Sequence, residues 1–173
     1  MRILDYLLVS MLALPGIAGQ TTIAAAQVPE IPNANLQDIA MVTWHVGPLP
    51  QVGLPMYNGP VIIYNPIVID QVGPVLTAFF RSHEYCHVAR NHIQQQFFLG
   101  NPFNRAWISQ GLELDADSCA TATLLAQGNI ASVRAAFLWF HGQGPIQHVP
   151  SHPPGQARAN NIANTAKSMG VIP

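Results

Sequence analysis

Five consecutive residues near the middle of the 173-residue chain, His83-Glu84-Tyr85-Cys86-His87, form the pattern HExxH. Each residue of a helix turns the chain by about 100°, so His83 and His87 lie about 40° apart on one face. Both imidazoles can then reach one metal ion. Glu84 lies beside that face, where it can accept a proton from a metal-bound water. Zinc fits because it binds imidazole nitrogens and leaves a position open for water.

A catalytic zinc ion needs a third protein ligand, and the acidic segment ELDAD at 113–117 offers one. Glu113 and Asp117 are one turn apart on a predicted helix, so Glu113 can bind the ion while Asp117 hydrogen-bonds a ligand imidazole. The alternative is a solvated acidic patch. His92 lies about 140° around a continuous helix from His87, and we interpret it as an ordinary polar helix residue.

Two cysteines lie close to these motifs, Cys86 inside HEYCH and Cys119 two residues after ELDAD. Helices that share a metal ion must approach each other, and an exported protein meets an oxidising compartment, so we predict a Cys86–Cys119 disulfide. On a helix, Cys119 lies about 120° from Glu113 and could point away from the shared face. Two buried thiols that pack as small apolar groups are the alternative.

The pattern along the chain predicts one α+β domain with a small antiparallel sheet and about four helices, HExxH lying on a central helix. Asn58-Gly59 indicates a hairpin turn, and the VIIY segment at 61–64 is predicted to be an edge strand. A strand is also expected near 39–46, after a linker at 27–37. Helices are predicted at about 72–99, from 104 or 109 to 127, at 130–141 and at 154–169, with a loop at 143–153.

The composition bears on the partners of the protein, and the N-terminus indicates that it is exported. Charged residues make up 9 % of the chain and the net charge is −1, which gives no reason to expect nucleic acid as a partner. The apolar run at 6–18 is too short for a comfortable membrane span, and Ala24-Ala25-Ala26 offers a cleavage site that leaves Gln27 as the mature start. We therefore predict a signal peptide at 1–26 and a periplasmic or secreted protein. An uncleaved N-terminal membrane anchor is the alternative.

The order of three motifs resembles that of the M48-type gluzincin peptidases, the family of the membrane heat-shock peptidase and of CAAX prenyl-protein endopeptidase. HEYCH is followed by ELDAD and then by HPPGQAR at 152–158, and the resemblance covers roughly residues 58–165. It implies a zincin-like metallopeptidase domain at 58–173, preceded by a linker and first strands at 27–57. It also implies that His152 faces the substrate carbonyl and that Arg158 supports it. Otherwise His152 would cap the last helix and Arg158 would be a solvated helix residue.

Together these features predict a zinc metalloendopeptidase that cleaves peptide or protein substrates. Zinc would be bound by His83, His87 and Glu113, with Glu84 as the general base. The VIIY segment would bind an extended peptide by strand addition. The alternative function is a zinc-bearing, non-proteolytic module that binds peptides; a purely binding protein would have no need of the base.

Overall fold

The structure of the chain, a computed structural model, describes residues 28–173, and strands precede helices along that range. The α+β class is confirmed. The predicted signal peptide lies outside the described residues. The strands are β1 (Glu30–Pro32), β2 (Ala40–Leu49) and β3 (Leu54–Tyr64). The helices are α1 (Pro66–Ala89), α2 (His92–Leu99), α3 (Arg105–Ala126), α4 (Ile130–Gln143) and α5 (Gly155–Ser168).

The described strands form one mixed sheet in the order β1-β3-β2. β1, which lies in the segment predicted to be a linker, is parallel to β3, and β2 is antiparallel to β3. Two predictions are therefore wrong: the sheet is not wholly antiparallel, and the VIIY segment lies in the central strand rather than at an edge. Val61 and Ile62 are buried, which fits a strand paired on both sides.

Asn58-Gly59 lies in the middle of β3, so the predicted hairpin turn at this dipeptide is also wrong. The turn that joins β2 to β3 is at Pro50–Val52 and ends at Gly53, whose φ of 71° is left-handed. The Asn58 side chain accepts a hydrogen bond from the Trp44 indole at 2.8 Å. A Cβ on Gly59 would lie 2.9 Å from the Tyr57 hydroxyl oxygen, so any other residue here would require the Tyr57 ring to shift.

Helix α1 carries HExxH and begins earlier than predicted. Asn65 caps it by accepting hydrogen bonds from the backbone N–H groups of Ile67 and Val68. The helix is interrupted at Gly73, whose φ is 76°, and the part after Pro74 matches the helix start expected from the sequence. The predicted helix at 72–99 is in fact two helices. The break is at Asn91, a residue type that tolerates its left-handed φ of 55°.

The remaining helices agree with the sequence predictions, and they complete an apolar core around α1. Phe79 and Phe80 of α1 pack edge-to-face against Phe140 of α4. Helix α5 packs closely on α4 at Gly155. A Cβ at this position would lie only 2.5 Å from the Phe140 carbonyl oxygen. The predicted loop at 143–153 connects these two helices. Among residues 28–173, no helix combines the length and the apolar character that crossing a lipid bilayer requires.

Candidate metal centre

Two helices bring three potential metal ligands together at the floor of a cleft. His83 Nε2 of α1 lies 2.9 Å from His87 Nε2 and 3.2 Å from Oε2 of Glu113 on α3. His87 Nε2 lies 3.4 Å from Glu113 Oε1. One donor atom from each residue lies within 4.8 Å of the others, so a single ion can contact all three. Two imidazoles and one carboxylate are the donor set of many catalytic zinc sites, and the residues present fit that metal.

The side chain of Asp117 orients His83 from behind. Its Oδ1 lies 2.9 Å from His83 Nδ1, and it is fully buried. A carboxylate only accepts hydrogen bonds, so Asp117 fixes a proton on His83 Nδ1, and Nε2 is the nitrogen that would bind a metal after it loses its own proton. Arg158 holds Asp117 with two hydrogen bonds, from Nε at 2.8 Å and from Nη2 at 2.7 Å. Arg158 is buried, so its interpretation as a solvated helix residue is wrong.

His83, His87 and Glu113 are called the ligand cluster below, and their electrostatics favour a bound cation. Burial lowers the pKa of His83, but its hydrogen bonds with Asp117 and Glu113 outweigh burial and raise the pKa to about 10. Burial lowers the pKa of His87. Burial also acts to raise the pKa of Glu113, yet its hydrogen bonds with the two histidines hold that pKa well below the usual range. The Glu113 carboxylate is therefore ionised and directed at the two imidazoles.

Glu84 lines the same cleft as a carboxylate without a protein partner. It is 6 % exposed, and it makes no hydrogen bond or ion pair with another residue of the described range. Among residues 28–173, no fully enclosed side-chain polar atom lacks a hydrogen bond, so the Glu84 oxygens reach the open cleft. Burial raises the pKa of Glu84 to about 7, which suits a group that takes up and releases a proton near neutral pH.

His152 lies at the rim of the cleft, on the loop before α5. Its Nε2 is 3.7 Å from Glu113 Oε2 and 3.6 Å from Oδ2 of Asp38, a residue that the sequence motifs did not indicate. Helix α5 has no side-chain cap, so the interpretation of His152 as its cap is wrong. The Gln147 side chain donates to the carbonyl of His152 at 3.0 Å and helps to hold the loop.

His92 is the site residue that the sequence interpretation missed. It is 3 % exposed, and its Nδ1 lies 2.9 Å from Nδ1 of His87. Its Nε2 lies 3.0 Å from Asp115 Oδ2. The predicted 140° separation assumed one continuous helix, whereas the break at Asn91 redirects the chain and brings His92 back against His87. The left-handed tendency of asparagine was the only signal in the sequence that could have indicated this break.

A disulfide joins Cys86 of α1 to Cys119 of α3 in the structure. Their Cα atoms are 6.0 Å apart, within the range that such a bond requires. The helical-wheel argument against Cys119 considered the angle to Glu113 alone. Ala116 and Ala120, both fully buried, flank this position and allow the two helices to approach closely.

The cleft over the cluster has a volume of about 260 Å³. One wall is the start of β2 and the residues before it, from Asp38 to Val42. The ligand cluster also lines the cleft, together with His152 and Arg158. β2 is an edge strand of the described sheet, and residues at its start line this cleft.

No protein-family model, curated protein or solved structure matches this chain.

Proposed function

We propose that the protein is a zinc-dependent endopeptidase of the gluzincin type, which hydrolyses peptide bonds with Glu84 as the general base. The observation that carries this proposal is the buried, unpartnered Glu84 carboxylate beside the donor set of His83, His87 and Glu113. A site that only bound a metal would not need a buried carboxylate without a hydrogen-bond partner beside the ligands. The order of motifs shared with gluzincin peptidases supports the same reaction.

The mechanism assigns a separate task to each group. A bound zinc would supply Lewis acidity, acidifying water and polarising the substrate carbonyl. Glu84 accepts the proton of the attacking water and passes it to the leaving amine. Asp117 keeps His83 in the tautomer that a ligand needs. His152, at the rim, donates a hydrogen bond to the carbonyl oxygen as negative charge develops there.

The substrate is an extended peptide or protein segment that pairs with the outer edge of β2. Residues 38–42 form one wall of the cleft, and no strand of the described range covers this edge. Backbone groups on an open edge can form hydrogen bonds with an added strand. The proposed recognition edge is therefore on β2, since residues 62–64 are paired with both β1 and β2.

The central experiment compares Glu84→Gln with the wild-type protein on an unbiased mixture of peptides analysed by mass spectrometry. The variant should keep its fold and its zinc but lose at least about 10²-fold in cleavage rate, because the amide cannot take up the proton. Glu30→Gln is the matched control, since Glu30 pairs with Arg81 and Tyr85 outside the ligand cluster. Full activity in Glu84→Gln would overturn the mechanism.

The same experiment separates the alternative function. A zinc-bearing module that only binds peptides would retain them equally well in the wild-type protein and in the Glu84→Gln variant, and neither protein would cleave them. Loss of cleavage with retained peptide binding is expected for the peptidase.

We also propose that the protein is exported and begins at Gln27 after cleavage. The apolar run at 6–18 and the Ala24-Ala25-Ala26 site support this proposal. N-terminal sequencing of the secreted or periplasmic product tests it. An intact N-terminus in the membrane fraction would favour an anchor instead.

A further inference from the structure

The two histidines of the ligand cluster are each backed by a chain of polar groups that ends in an arginine. Behind His83 the chain is short, from Asp117 to Arg158. Behind His87 it has one more member, because His92 lies between the ligand and Asp115. Arg90 Nη1 closes this second chain, at 2.8 Å and 3.0 Å from the two carboxylate oxygens of Asp115.

The order of donors in the second chain follows from its carboxylate end. Asp115 only accepts hydrogen bonds, so the proton between it and His92 is on His92 Nε2. A neutral His92 then has a lone pair on Nδ1, which accepts a hydrogen bond from Nδ1 of His87. His87 Nε2 is left without a proton and directed at the metal position, 3.4 Å from Glu113 Oε1.

We propose that His92 and Asp115 are positioning residues that hold His87 in its metal-binding tautomer and orientation. The inference rests on the proposed zinc site. Asp117 contacts His83 directly, whereas Asp115 acts on His87 through the imidazole of His92. Burial supports this role: His92 is enclosed between His87 and α3, while Asp115, with 40 % of its side chain exposed, meets it from the surface.

The backbone conformation after α1 brings His92 into contact with His87. In a continuous helix, residues five positions apart do not face each other, so His92 would point away from His87. Helix α1 ends with the Arg90 N–H donating to the Cys86 carbonyl, and Asn91 takes the left-handed conformation. Helix α2 begins at His92, and the two imidazole rings meet with their centroids 4.9 Å apart.

The test measures zinc affinity of the full chain by competition with a chromogenic chelator. His92→Phe should weaken zinc binding by about 10- to 100-fold, the usual effect of losing an outer partner of a metal-bound histidine. Asp115→Ala should weaken it in the same direction. Because Asp115 is partly exposed, this variant keeps the test decisive if His92→Phe does not fold. The absorption bands of the Co²⁺-substituted protein should change in both variants.

Matched controls separate positioning from a simple structural tie between α1 and α3. His141→Phe and Asp70→Ala make the same changes outside the ligand cluster and should leave zinc affinity unchanged. Urea unfolding of the metal-free His92→Phe and Asp115→Ala variants measures the tie separately, because loss of a tie alone would lower stability without weakening zinc binding.

Two results overturn the inference and can be told apart. If His92→Phe and Asp115→Ala both bind zinc within about twofold of wild type, well short of the usual outer-partner effect, the positioning role fails while the zinc site stands. If the wild-type chain binds no zinc, the proposed zinc site fails, and the inference fails with it.

Discussion

At the residue scale, the buried Arg158–Asp117 ion pair carries a large desolvation cost. Both side chains are enclosed, and the guanidinium also lies over the Phe140 ring, 4.1 Å from its centroid. Burial acts to raise the pKa of Asp117, but the charges and hydrogen bonds of Arg158 and His83 together outweigh burial and lower it, so the carboxylate stays ionised. The pair thus keeps a charged acceptor behind His83 inside the protein.

Removing one partner of this pair should destabilise the protein strongly. Arg158→Met removes the guanidinium that pairs with the buried Asp117 carboxylate, and breaking a buried pair in this way costs about 3–5 kcal/mol. Urea unfolding of the metal-free protein measures the change in the free energy of unfolding. Arg134→Met, at an exposed position on α4, is the control and should be close to neutral. A loss equal to that of the control would mean that the pair contributes nothing.

At the scale of elements, the ligand cluster depends on the contact between α1 and α3. These helices carry the histidines and the carboxylate respectively, and the Cys86–Cys119 disulfide joins them 33 residues apart in sequence. The cross-link holds the two ligand-bearing helices together whether or not a metal is bound. It therefore reduces the ordering that metal binding must impose.

Loss of this disulfide should lower stability by about 3–4 kcal/mol in the chain-entropy account of a loop of this length. The Cys86→Ala, Cys119→Ala double variant, compared with wild type by urea unfolding, measures the effect. Thiol titration of the unfolded mature protein should find free thiols only after reduction. Two free thiols per chain without reductant would refute the bond in the native protein.

The proposed recognition edge on β2 can be mapped with a photo-reactive amino acid. Met41 on β2 lines the cleft, whereas Met56 on β3 is exposed and does not line it. In a Glu84→Gln background that retains its peptides, a benzophenone side chain at 41 should cross-link to bound peptide. The same group at 56 should not. Equal cross-linking from both positions would place the peptide elsewhere.

At the scale of the whole molecule, zinc binding and folding should be coupled. The three proposed ligands come from two helices and meet only in the folded chain. Zinc at 100 times its dissociation constant should raise the free energy of unfolding by about 2.7 kcal/mol. Thermal unfolding with zinc and with a chelator measures this difference. Glu113→Ala should abolish most of it, and a full zinc effect in that variant would exclude Glu113 as a ligand.

The sequence by itself determined the local features. Helical periodicity places His83 and His87 on one face, and the four-residue spacing of Glu113 and Asp117 does the same on α3. Two residues four positions apart lie on one face of any helix, so these predictions hold however the helices pack. The ends of α3, α4 and α5 were likewise predictable from glycine and proline near their boundaries.

Only the tertiary structure decided the features that depend on what packs against what. The Asn58-Gly59 dipeptide favours a turn locally, but antiparallel pairing with β2 and the Trp44 contact keep it extended. The sheet order, which makes β2 rather than β3 the edge strand, has no local signal at all. His92 reaches His87 because one residue, Asn91, redirects the backbone after α1, and the hydrogen bond of His92 with Asp115 on α3 helps to hold it there.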